Sequence, residues 1–238
     1  MSRGQHDAVP ALVPITQFTA DTIVSGMFRV QIPDYYALHN IVESQAWHDN
    51  QSVFDHCLAS ARALEEITQF NSLQPSDKAR ILAYLAGKHE RCSRLDLLRL
   101  ATLLHDIGKL ISLHRTASGG TSSPSHGVIG EWVAKPIVAM FDITPGEKRR
   151  VLDLISDHLV PSDLIEMAIV NGTTARGVVE LLQSHRPDTV VELLLLAYAD
   201  WQGCDIRESV RQRRDQRVAM VHECLRVAAP TLSLGGVN

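Results

Sequence analysis

Aromatic residues are scarce in this chain: Phe, Trp and Tyr make up 5% of its 238 positions, while hydrophobic residues as a class reach 45%. Leu, Ala and Val dominate that apolar content, which favours helix packed on helix over a β-sandwich rich in aromatic and β-branched residues. Cysteine is also sparse. Cys57, Cys92, Cys204 and Cys224 are scattered with no Cys-x-x-Cys, as expected of a reducing, cytoplasmic protein with free thiols. There is no basic segment leading into an apolar core near the start, and no apolar run of bilayer length, so no membrane partner is expected. No phosphate-binding Walker loop and no Gly-x-Ser-x-Gly elbow is present, which leaves P-loop and serine-hydrolase chemistry without support. The net charge is −4, and one basic stretch stands out, Arg207–Arg217. Glu208 and Asp215 interrupt it, so it reads as a solvated helix face and nucleic acid is not an expected partner.

What is present is helical periodicity. From Tyr35 onward the spacing of apolar residues predicts helices near 35–47, 52–70, 77–88, 94–105, 127–141, 145–158, 161–170, 174–184, 188–202 and 205–228. Pro75, Gly87, Gly108, Pro161, Asn171-Gly172 and Pro187 mark the breaks, and Pro136 is placed to kink the helix over 127–141. Residues 1–34 read as an irregular or β-prone arm, loosely packed, with Thr22-Ile23-Val24 and Phe28-Arg29-Val30 able to pair through Ser25-Gly26. Residues 115–126 read as a long polar Gly/Ser loop, of the kind that is more often functional than idle. The expected organisation is an all-α domain over 35–228, with the arm before it and a short tail over 229–238.

The most informative stretch is Leu97–Lys109. An apolar helix delivers His105 and Asp106 to its own end, with Gly108 and Lys109 following. His-Asp also occurs at His6-Asp7 and His48-Asp49, but neither of those pairs has an apolar helix behind it. Other possible ligands lie at comparable helix ends: His56 early in one helix, His126 opening another, His158 closing a third, and Asp200 ending the apolar run from Val190. Each alone has a plain alternative. His158 could cap carbonyls, His126 could be a loop residue, Asp200 could pair with Arg207, and Lys109 could be solvated. Taken together, four imidazoles and two carboxylates suit two transition ions sharing a carboxylate.

The order His56, His105-Asp106, His126, His158, Asp200, with the strings Phe54-Asp55-His56, Leu104-His105-Asp106-Ile107-Gly108-Lys109 and His126-Gly127-Val128-Ile129-Gly130, resembles the HD-domain superfamily of metal-dependent phosphohydrolases. The closest likeness is to the HD domains of tRNA nucleotidyltransferases and of HD-type phosphodiesterases, over roughly 36–202. The resemblance implies an HD-type helical bundle holding two divalent transition ions drawn from Mn, Fe, Ni and Co, or else Mg. Asp106 would bridge them, with His56, His105 and Asp200 on one ion and His126 and His158 on the other. Lys109 would offset charge on a phosphate oxygen. The implied substrate is a nucleotide-like phosphomonoester or phosphodiester. The same ligand set also serves HD-type di-iron oxygenases, and a non-catalytic nucleotide-sensing module is a third reading. Gly127 stands where many relatives carry a glutamate, and no Gly-Tyr-Pro motif marks a cyclic-dinucleotide specialist.

Overall fold

A computed structural model describes residues 11–66 and 73–232. Among these, the fold is a helical bundle with two small antiparallel hairpins. Its centre is α11 (Val190–Gly203), in which Leu193 to Ala197 are fully buried. A helix that is apolar all round can be stable only when other elements cover every face. Here α3 (Val53–Glu65) and α5 (Arg94–Leu104) lie against it, with α12 (Glu208–Ala228) on another side. The pair α7 (His126–Ala139) and α8 (Pro145–Asp157) packs beside α5. The remaining long helices, α4 (Pro75–Ala86), α9 (Val160–Asn171) and α10 (Ala175–His185), complete the shell. No helix among the described residues is long and apolar enough to cross a membrane.

The helix starts follow local chemistry. Ser52, Ser93, Thr144 and Thr174 each accept a hydrogen bond from the backbone N–H three residues on, satisfying a donor the helix itself cannot. Glu147 returns a bond to Thr144 and closes a capping box. Pro136 sits inside α7 without ending it.

Two local expectations fail, and tertiary contacts explain both. The helix expected over 35–47 stops early: α2 spans Pro33–Ala37, and the chain then forms β1 (Val42–Gln45) and β2 (His48–Ser52). Asn50 takes a left-handed backbone (φ 62°) at the register shift of this hairpin, a conformation asparagine tolerates better than most residues. The hairpin is docked at long range. Asp49 N–H donates to Asp205 O at 2.7 Å, Arg207 N–H to Ala46 O at 2.9 Å, and Gln51 Nε2 to Gly203 O at 2.7 Å. Bonds across 150 residues of chain override a weak local preference.

The arm also differs from expectation. Over 11–34 it is irregular, but Thr22-Ile23-Val24 lies in a short helix, α1 (Ala20–Val24), and not in a strand. It is not loosely packed, since Ile15, Phe18, Ile23, Phe28 and Ile32 join the main core. The Gly/Ser loop contains a small hairpin, β3 (His114–Arg115) with β4 (Thr121–Ser122), and Thr121 Oγ1 accepts from Ser44 N–H at 3.0 Å. Residues 67–70 of the expected second helix, and most of the expected tail, lie outside the described residues.

Candidate metal centre

Six side chains from five helix ends converge in the interior. His56 comes from α3, His105 caps α5, Asp106 follows it, His126 opens α7, His158 caps α8, and Asp200 comes from the last turn of α11. All four imidazoles and Asp106 are buried. The two oxygens of Asp106 divide them. Oδ2 faces His56 Nε2 at 3.3 Å and His105 Nε2 at 3.4 Å, while Oδ1 faces His126 Nε2 at 3.1 Å and His158 Nε2 at 3.7 Å. Asp200 Oδ1 closes the first group, 3.0 Å from His56 and 3.7 Å from His105. The alternative pairing of Asp200 with Arg207 does not occur, because Arg207 bonds Asp49 at 2.9 Å.

Close approach of the backbones makes this convergence possible. A Cβ on Gly108 would lie 2.1 Å from His126 O, and one on Gly127 would lie 2.6 Å from Ser156 O. The α5–α6 turn therefore abuts the start of α7, and α7 abuts the end of α8, where α6 is Lys109–Ser112. Glycine at 127, where a glutamate would not fit, is explained by this contact.

The hydrogen bonds fix how the imidazoles present themselves. Nδ1 of His105, His126 and His158 lies 2.7–2.8 Å from the carbonyls of Thr102, Ser123 and Ile155. A carbonyl can only accept, so each Nδ1 carries a proton and Nε2 is the atom each ring turns into the cluster as a possible ligand. Yet His126 Nε2 and His158 Nε2 stand 3.1 Å apart, and His56 Nε2 and His105 Nε2 stand 3.2 Å apart. The nitrogens of each pair converge with a carboxylate oxygen on a common point where one cation can lie. Two nitrogens about 2.1 Å from one ion at a right angle are about 3 Å apart, which matches both pairs. Asp106 Oδ1 and Oδ2 are both sealed from solvent with no well-directed donor. The donor set therefore fits two ions bridged by Asp106.

Charge in the metal-free cluster follows the same logic. Burial would pull His105 down, but the Asp106 carboxylate outweighs it and holds that imidazole well above its ordinary range. A proton there substitutes for a metal cation. At His158 the balance is reversed: burial, reinforced by His105 and His126, outweighs the pull of Asp106 and lowers it to about 3. Burial would raise Asp106, but Lys109 and His105 hold it well below the usual carboxylate range, and His105 and His56 do the same for Asp200.

Lys109 is not the solvated lysine that the sequence allows; it lies beside Asp106 on the wall of a cavity. It is buried, with Nζ 2.7 Å from Glu43 Oε2 and 2.7 Å from Asp106 Oδ2, the latter at a poor angle for a hydrogen bond. Its partner Glu43 comes from β1 and has no sequence signal. His48, in one of the discounted His-Asp pairs, is buried against His56 with ring centroids 4.7 Å apart, and burial lowers it to about 4. A cavity of about 300 Å³ opens onto Asp106, His126 and Asp200, and Trp47, Trp201 and Arg217 form part of its wall. The basic stretch thus divides. Arg207, Arg211 and Arg214 pair with nearby acids on the surface, as a solvated face should, whereas Arg217 turns toward the cavity.

No curated protein shows a significant match to the chain. The family model of the HD domain matches residues 53–201, more than half of the sequence. That span runs from the start of α3, just before His56, to the residue after Asp200, so the matched segment holds all six converging side chains. The chain belongs to the HD-domain superfamily of metal-dependent phosphohydrolases.

Proposed function

We propose that the protein hydrolyses a nucleotide-like phosphomonoester or phosphodiester at a two-metal centre. The single observation that carries this reading is the division of the two Asp106 oxygens between two pairs of converging imidazoles. His56, His105 and Asp200 would hold one divalent ion, His126 and His158 the other, and Asp106 both. Two such ions would supply Lewis acidity for a phosphate and lower the pKa of an attacking water. The protein's own part is positioning. Backbone carbonyls fix the three ring tautomers, and carbonyl-anchored imidazoles make better, better-oriented ligands. Lys109 balances the excess negative charge of Asp106 and Glu43, and the cavity admits a small-molecule phosphoester beside the cluster.

The test is metal analysis of protein purified without chelator, followed by a panel of phosphoesters with Mn²⁺, Ni²⁺, Co²⁺ or Mg²⁺. Two ions per chain and turnover that disappears in Asp106→Ala are expected. An iron-loaded protein that consumes O₂ and releases no phosphate would refute it, as would full metal content and turnover in Asp106→Ala.

A further inference from the structure

Arg217 is the cation of the cavity wall that the two-metal reading does not use. Its guanidinium lies 4.2 Å from the centre of the Trp47 ring and 5.4 Å from that of Trp201. Each tryptophan is the chain neighbour of a side chain in the metal cluster or against it, Trp47 of His48 and Trp201 of Asp200. The side chain is only 16% exposed, and it is held further by Glu166, whose Oε2 accepts from Nε at 2.9 Å and from Nη2 at 2.7 Å. Those two bonds use one edge of the guanidinium. The end-on edge, Nη1 with the outer Nη2 hydrogen, donates to no protein acceptor among the described residues.

A guanidinium set against two indoles and tied along one edge has little freedom left to lose, and its open fork matches the spacing of two oxyanion oxygens. Charge agrees. Arg213 also bonds Glu166, from outside the cavity wall, so two guanidiniums share one carboxylate and the group keeps a net positive charge. Building such a cation beside two metal ions would be unfavourable for a substrate whose far end is neutral, and favourable for one whose far end is anionic.

We propose that Arg217 is a specificity-determining residue that takes a second phosphate, borne by the leaving group of the substrate, through its open guanidinium edge. This rests on the phosphohydrolase reading and narrows it to substrates with two phosphate groups. The experiment compares p-nitrophenyl phosphate, 5′-AMP and adenosine 3′,5′-bisphosphate as substrates of the metal-loaded protein. Wild type should favour the bisphosphate over 5′-AMP by about tenfold or more in kcat/KM, chiefly through KM. Arg217→Gln should erase that preference and leave p-nitrophenyl phosphate within about twofold of wild type. Arg213→Gln, which removes the other partner of Glu166, should keep the preference; if it loses it equally, the effect is structural and the proposal falls. It also falls if Arg217→Gln retains the preference, or if it slows all three substrates alike. Should no phosphoester be turned over at all, the phosphohydrolase reading fails separately. Calorimetric titration of the metal-free protein with adenosine 3′,5′-bisphosphate then decides, and wild type binding no tighter than Arg217→Gln overturns the inference.

Discussion

The Glu43–Lys109 pair makes a quantitative demand on the metal-free protein. Both side chains are nearly sealed from solvent, with Glu43 1% and Lys109 5% exposed, and their charges meet at 2.7 Å. Replacing Lys109 by methionine keeps most of the volume but leaves the Glu43 carboxylate buried near Asp106, with only the uncharged Gln45 amide at 3.3 Å and a neutral His48 at 3.5 Å beside it. Removing one partner of a buried pair costs about 3–5 kcal/mol, because the remaining charge keeps its desolvation penalty and loses its compensation. Glu43→Gln leaves the ammonium with Asp106 and should cost less, about 1–3 kcal/mol. The double variant Glu43→Gln/Lys109→Met removes both charges, and should lie above the sum of the singles by about 2–3 kcal/mol. Urea unfolding of chelator-treated protein at neutral pH, read at two probes, measures all four corners of this cycle. Lys109→Met within about 0.5 kcal/mol of wild type, the range of an ordinary surface lysine, would refute the argument, and so would strict additivity.

Three other outcomes are expected. His126→Ala or His158→Ala should leave about one ion per chain by metal analysis and cut turnover strongly, since each pair of opposed Nε2 atoms would hold its own ion; two ions retained in both variants would contradict it. Gly127→Ala places a methyl against Ser156 O and 3.4 Å from His158 Cε1, so it should cost about 1–3 kcal/mol by chemical denaturation and weaken the second ion more than the first. The metal-free protein should lose stability as pH falls from about 6.5 toward 4, because His48 (about 4) and His158 (about 3) stay neutral in the fold while the unfolded chain takes up protons. His105, held protonated in the fold by Asp106, contributes an opposing slope only near pH 6.5, where the unfolded imidazole titrates, and urea midpoints for His48→Gln should fall less steeply with pH than those of wild type.

What could be read from the chain alone depended on how far apart the deciding contacts lie. Leu97–Leu104 carries its own periodicity and cap, so α5 and the His105-Asp106 pair at its end are local facts of sequence. The same holds for His126 and His158, which sit at helix boundaries marked by the Gly/Ser loop and by Pro161. Glu43 and His48 were invisible because the β1–β2 hairpin is fixed by bonds to 203–207, more than 150 residues away, and locally the segment reads as helix. His48 illustrates the limit well. Its dipeptide is identical to His105-Asp106, yet its imidazole reaches the cluster from a strand, and it is the aspartate after it, paired with Arg207, that stays outside.

Arg217 was hidden for a different reason. Its neighbours Arg211 and Arg214 share its composition and do form a solvated face, so charge pattern alone assigns all of them to solvent. Only the geometry of α12 separates them: one position turns inward, where Trp47 and Trp201 supply the aromatic faces that make a guanidinium affordable beside an apolar wall. Those tryptophans are two of three in a chain otherwise poor in aromatic residues. The scarcity therefore carries information that composition did not reveal. Two of the three indoles are placed where the cavity meets a cation, and one of them, Trp201, joins that wall to the core. The metal cluster is the part of the site that short motifs encode, while the wall that would choose among phosphoesters is assembled from residues whose meaning exists only in the folded chain.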